Sequence, residues 1–186
     1  WDTVGALGVP TPMLKHLSRY WVGFHNTYIG AHIRHAFQAL ALDERRRPFE
    51  PDLWTCPKQD HENYAWLHET RGERSPRQVV EQVWFAGVHS NVGGGYRTRD
   101  LSDIPLAWML ERAADRGLAL NNHWRERLMP NPCGEAIESF TASYRLLSPA
   151  IPPLTRKVLD LNTLESVPIN VGVHQSVLER VRSVPT

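Results

Sequence analysis

The densest run of apolar positions is QVVEQVWFA, residues 78–86, rich in β-branched and aromatic side chains; it predicts a strand. Density on both faces suits a central place in a mainly parallel sheet. It runs directly into GVHSNVGGGY, residues 87–96, which reads as a loop. A helix is predicted over residues 103–116. Ser102 stands at its N-cap, Asp103 and Pro105 in its first turn, and Leu106, Met109, Leu110 and Ala113 on one stripe, with Gly117 closing it.

The remaining segments are less regular. Residues 1–12 (WDTVGALGVPTP) read as the end of a buried strand entering a loop at residues 8–12. From Met13 to Arg47 the pattern is helical in pieces, with Ala31, Phe37 and Ala41 near a 3.6-residue period and Pro48 ending the run. Residues 51–77 are polar and irregular, residues 121–153 are mostly loop, punctuated by prolines, and a short last helix is expected over residues 174–182. With no internal repeat and no linker, residues 1–186 read as a single α/β domain, a mainly parallel sheet with flanking helices.

Composition narrows the function. The chain has 186 residues, 41% hydrophobic and 22% charged, which is a globular balance. Its formal charge of +1 gives no general electrostatic case for nucleic acid as a partner. The longest apolar stretch, residues 83–88, is far too short for a transmembrane segment, and no signal peptide opens the chain. Cys56 and Cys133 form neither a framework nor a CxxC pair, so the compartment stays open. Of the 21 basic residues 18 are Arg, which fits a GC-rich coding sequence.

Three segments carry chemistry. Residues 87–95 follow the best strand and precede a helix, where α/β sheets collect functional groups. The three glycines Gly93, Gly94 and Gly95 match neither phosphate-loop spacing. The loop therefore presents His89 as a general base, with Ser90 and Asn91 beside it, or else is a tight turn with an incidental histidine. Asp2, just past an apolar strand end, fits the acid that orients an imidazole, and equally an Asx turn. No serine among the ten lies in GxSxG; Ser90 adjoins His89 too closely to serve it, and Cys133 reads as a buried inert thiol. His32 and His35 on a helix, and His61 and His68 around an aromatic stretch, make no metal-binding pattern, and no cofactor is expected. Arg45-Arg46-Arg47 reads as a solvated helix end.

Four segments in order, WDTVGALG (1–8), HAFQALALDERRRPF (35–49), QVWFAGVHSNVGGGY (82–96) and LSDIPLAWML (101–110), together resemble the bacterial and fungal α/β-hydrolase-domain family that includes type VI secretion phospholipase effectors. The resemblance fades toward VHQSVLERV, residues 173–181. It implies an ester hydrolase, with lipid among the candidate substrates, in which a GFSRG-like elbow carries the serine upstream of WDTVG. The chain would then be the C-terminal portion of a larger α/β-hydrolase domain, which fits its start at Trp1 without Met. It implies His89 as the base and Asp2 as the acid, with Asp103 the alternative acid. Relatives place Asp where Asn91 stands, which weakens any role there that needs a charge. The competing reading is a non-catalytic interaction module that kept the scaffold.

Overall fold

The structure is a computed structural model that describes residues 1–4, 28–66, 78–147, 152–156 and 166–183. Its frame is built around one strand. β1 (His35–Ala41), β2 (Thr55–Pro57), β3 (Tyr64–Ala65) and β4 (Gln78–Phe85) precede a short helix α1 (His89–Gly93) and the longer α2 (Asp103–Ala114). Then come α3 (Ala142–Leu147), β5 (Ser166–Pro168), β6 (Val171–Val173) and α4 (Gln175–Ser183). β4 lies parallel to β1 on one side, in register from His35 opposite Val79 to Ala41 opposite Phe85. On its other side β3 pairs with its start and β6 with Gln82–Trp84, both parallel. The predicted central strand of a parallel sheet is therefore found, ending at Phe85. β2 and β5 form a separate antiparallel pair.

Strand alternation divides the core in two. Ala39 and Ala41 of β1 and Val83 and Phe85 of β4 face Val92 of α1 and Ile104 and Trp108 of α2. Phe85 and Phe37 meet Trp108 edge-on, at centroid distances of 5.6 and 6.2 Å. On the opposite face Val80 packs with Ile29, Cys56 and Ile169. Covered on both faces, β4 has seven buried residues of eight, so apolar side chains dominate both of its faces and its buried polar residues, Glu81 and Gln82, need partners.

Five expectations need correction. Residues 35–41, expected as helix, are β1, and His32 and Ala31 lie in a turn before it. The segment carries Ala, Leu and Phe, which suit both periods, and pairing with β4 decided the conformation. Arg45–Arg47 thus follows a strand, not a helix; Arg46 is mostly buried rather than solvated, and Arg47–Phe49 is a 3₁₀ turn. In α2 the buried side holds Ile104, Pro105 and Trp108, while Leu106, Met109, Leu110 and Ala113 are only half-buried. Ser102 makes no side-chain cap, its hydroxyl donating to Arg99 O instead. Within residues 51–77 short elements β2, β3 and a 3₁₀ turn over Lys58–Asn63 replace the expected irregular chain. Residues 8–12, 13–27 and His68 lie outside the described residues.

Other expectations hold. α2 ends at Ala114, and Gly117, at φ +97°, allows Leu118 N–H to reach Ala113 O at 3.0 Å, a left-handed closure that suits glycine. α4 occupies the expected terminal helix.

Gln82 ties the second layer to the sheet. Fully buried in β4, its Oε1 accepts Trp54 N–H at 2.8 Å, and its Nε2 donates to Trp54 O at 3.0 Å and Ile169 O at 2.7 Å. Gln82→Leu, nearly equal in volume, takes the side-chain partner from Trp54 N–H and Ile169 O, while Trp54 O keeps Ile169 N–H at 3.0 Å. It should lower unfolding stability by about 3 kcal/mol in urea titrations. A loss under about 1 kcal/mol would mean that water replaces the amide.

Candidate active site

The site lies at the carboxyl ends of β1 and β4, where a parallel sheet leaves its last backbone groups unpaired by further strand. Two connections meet there. After β1, Leu42 N–H donates to Phe85 O at 2.9 Å and Asp43 N–H to Gly87 O at 3.0 Å. In return Gly87 N–H donates to the Asp43 carboxylate at 2.6 Å. Gly87 stands at φ +104°, and a Cβ there would fall 2.4 Å from Cβ of Asn91. Only glycine lets the chain turn this closely into α1.

That turn makes His89 the first residue of α1 rather than a loop residue. Its Nδ1 lies 2.8 Å from Oδ2 of Asp2. Asp2 is fully buried and is held by its own backbone: its N–H donates to Ala39 O at 2.6 Å. Its Oδ1 accepts Ala41 N–H at 2.9 Å. Asp2 takes φ +44°, a left-handed conformation that an aspartate tolerates better than most residues. A carboxylate on Nδ1 fixes the tautomer with the hydrogen there and leaves Nε2 as the basic nitrogen. The imidazole is 30% exposed, so this second nitrogen can reach an outside group. Phe49 packs edge-on against the ring at 5.1 Å, limiting its rotation.

Sequence reasoning missed two groups here. The first is Glu44, fully buried, whose Oε2 accepts the His89 backbone N–H at 3.2 Å. Arg46 binds it through its backbone N–H, Nε and Nη2, each at 2.9 Å, and Ser139 Oγ donates at 2.7 Å. Burial pushes the Glu44 carboxyl up, but the hydrogen bonds from Arg46 and Ser139 outweigh it and bring the pKa from 4.5 to about 2. The Arg46 guanidinium also lies 3.8 Å from the Phe49 ring centroid, so Glu44, Arg46, Phe49 and His89 form one packed chain of contacts. The second is Arg156, only 2% exposed, whose Nη1 lies 3.0 Å from Oδ1 of Asp2. Its guanidinium also donates to Ala41 O and Phe49 O. Glu44 lay within a run of charges that read as surface. Arg156 follows a proline-rich stretch with no recognisable pattern.

The other candidates fall elsewhere. Asp103 is buried, but its Oδ2 accepts Met129 N–H at 2.8 Å; it anchors the loop after α2, and Asp2 is the carboxylate on the imidazole. Asn91 is also buried, its Oδ1 accepting Val88 N–H at 3.2 Å and Ile137 N–H at 3.4 Å. It braces α1 and has no need of charge. Ser90 is half-buried beside His89 in α1. Gly93 ends α1, and Gly94 and Gly95 continue at positive φ with open space where a Cβ would stand. Cys133 is exposed, not buried, because residues 130–133 run over the surface; Cys56 is the buried thiol. Among the described residues no group of three His, Cys, Asp or Glu side chains is placed to hold a metal ion. No helix among them is long and apolar enough to cross a membrane. A cavity of about 440 Å³ opens beside Val88 between Glu44, Ile137 and Leu154.

Glu44 is ionised in the fold down to about pH 2 but protonates near 4.5 when unfolded. Its contribution to stability is therefore complete above 4.5 and disappears as the pH falls toward 2. Glu44→Gln should lose about 2 kcal/mol at pH 7, and the gap to the parent protein should close across that acidic window. Parallel stability curves for the two proteins from pH 7 to 2.5 would contradict the assignment.

The description of one family matches: the catalytic domain of the Tle1-like phospholipase effectors of the type VI secretion system (T6SS), over residues 1–112. No curated protein and no solved structure matches the chain. The matched span takes in 112 of the 186 residues, with Asp2, Glu44 and His89 all inside it. The chain belongs to the T6SS phospholipase effector Tle1-like catalytic domain family.

Proposed function

We propose that this chain supplies the general base and the orienting acid of a serine-dependent carboxylic ester hydrolase, with phospholipid as the substrate class its family name indicates. The observation that carries the reading is the 2.8 Å contact between His89 Nδ1 and the fully buried Asp2 at the carboxyl end of the sheet. In this reading the serine nucleophile sits on an elbow N-terminal to Trp1, since no serine of the chain lies in GxSxG.

The steps follow from the two nitrogens. Nε2 of His89 takes the serine proton as the hydroxyl oxygen attacks the ester carbonyl. The resulting imidazolium is stabilised by Asp2, which remains ionised and holds the ring in place. Nε2 then delivers the proton to the departing alcohol. The same nitrogen next deprotonates a water that attacks the acyl-enzyme, and the proton returns to serine as the fatty acid leaves. Ser90, Asn91 and the glycines Gly93–Gly95 shape the rim next to the imidazole; Asn91 does so from inside, by bracing α1.

The test uses short-chain esters and phospholipid vesicles, with the 186-residue chain and with the protein that includes the elbow. The chain alone should be inactive. The protein with the elbow should turn over substrate and lose roughly 10⁴-fold in kcat on His89→Ala. The control is His123→Ala, an exposed histidine paired with Glu126. His174 is a poorer control, since its ring stacks on Phe85 and its Nδ1 accepts Ser176 N–H at the start of α4. Saturable turnover by the chain alone would move the nucleophile to Ser90 or Cys133, and an active, folded His89→Ala protein would remove His89 as the base.

A further inference from the structure

Behind the His89–Asp2 pair stands a third charged group that a base and its orienting acid do not require. Arg156 is as buried as Asp2. Its Nη1 and Nη2 lie 3.0 and 3.5 Å from the two carboxylate oxygens, so one oxygen of Asp2 meets Ala41 N–H and Arg156, the other His89 and Arg156. The guanidinium is fixed in turn by Ala41 O at the end of β1 and Phe49 O, and its far side faces the Trp84 ring at 5.9 Å. Residues 152–156 are held against this corner by Leu154 N–H on Arg45 O at 2.8 Å and Arg47 Nε on Pro152 O at 3.2 Å.

Two physical consequences follow. A fully buried carboxylate whose other partners are a neutral imidazole and one amide carries an uncompensated charge, which is strongly unfavourable away from water. A permanently charged arginine removes that cost whether or not His89 carries a proton. The second consequence concerns the imidazole. A lone carboxylate against Nδ1 favours the protonated ring, whereas a carboxylate already neutralised by a guanidinium favours it less, although it still orients the ring. The other charges around His89 are Glu44 on its backbone N–H, Arg46 paired to Glu44 over Phe49, and Asp43 on Gly87 N–H. Glu44 and Arg46 offset each other and Asp43 is bound to Gly87 N–H, so of these groups Asp2 is the one on the ring nitrogen and Arg156 the one paired with it.

We propose that Arg156 is a positioning residue for the His89–Asp2 pair: its guanidinium locks the Asp2 carboxylate in place and offsets part of its charge, weakening the pull of that carboxylate on the ring proton. The role in turnover rests on the proposed function above; the electrostatic effect on His89 does not.

The experiment is an NMR titration of the histidine ring signals in the 186-residue chain, with His89 assigned by His89→Gln. It compares the parent chain with Arg156→Met, Arg156→Gln and Arg156→Lys, each first checked for folding by near-UV circular dichroism. In the two neutral variants the His89 ring signals should titrate at higher pH than in the parent, and Arg156→Lys, which keeps the charge, should stay close to the parent. If Met fails to fold, Gln and Lys make the same comparison. A folded neutral variant with His89 titrating as in the parent, or lower, overturns the proposal, as does collapse of all three variants, which would make Arg156 a purely structural residue. In the protein with the serine elbow, the acid limb of kcat/KM should move with the titration. A ring pKa that moves while the acid limb stays still supports the proposal and removes His89 as the base. An unmoved ring pKa in a protein that His89→Ala inactivates removes Arg156 and leaves the base in place.

Discussion

The buried carboxylate of Asp2 is the constraint on which the site depends. A charge with no exposed surface must be met by partners, and here the groups that meet it come from three separate stretches of chain. Ala41 N–H belongs to the end of β1, His89 to α1 after β4, and Arg156 to a distant segment, while the start of the chain that carries Asp2 is tied to Ala39. None of these can shift alone without stranding the charge. The carboxylate therefore does for the ends of the sheet what backbone pairing does along their length.

Glu44 repeats the device one step away. It joins the connection after β1 to the start of α1 through His89 N–H, and to the chain near Ser139 through its hydroxyl. His89 is thus held twice, by its ring through Asp2 and by its backbone through Glu44. Phe49 closes the third side of the ring. A ring held on three sides has little freedom to rotate, and a fixed ring is what aligned proton transfer would need. Each carboxylate has its own arginine: Arg156 for Asp2 and Arg46 for Glu44.

Much of this was legible in the sequence, and the gaps have physical causes. β4 was readable because burial on both faces leaves an unmistakable apolar run. α2 was readable as a helix, though not in its facing: the sheet takes Ile104 and Trp108, a choice made by the aromatic packing of Phe37, Phe85 and Trp108. β1 was misread because its alanines suit a helix, and what makes it a strand is β4, more than forty positions later. At the site, His89 and Asp2 announced themselves through their placement after apolar runs. Glu44 and Arg156 did not, because a buried ion pair looks in sequence like any two surface charges. The sign of burial is the partner, and the partners of Arg156 lie more than a hundred residues away.

The same reasoning explains why the site is polar where it is and apolar where it is not. Trp108, Phe85 and Val92 fill the face of the sheet beneath α1 and α2, so helix α1 rests on hydrocarbon and its first residue projects at the edge. At the site, charges gather at the ends of the strands, where amides such as Ala41 N–H and Gly87 N–H need acceptors. Asp2 and Asp43 supply them. Carboxylates drawn in to satisfy the sheet's ends are then already beside whatever side chain the next turn presents, and here the turn at Gly87 presents a histidine. One residue, Asp2, thus both satisfies the end of the sheet and fixes the ring that the turn presents.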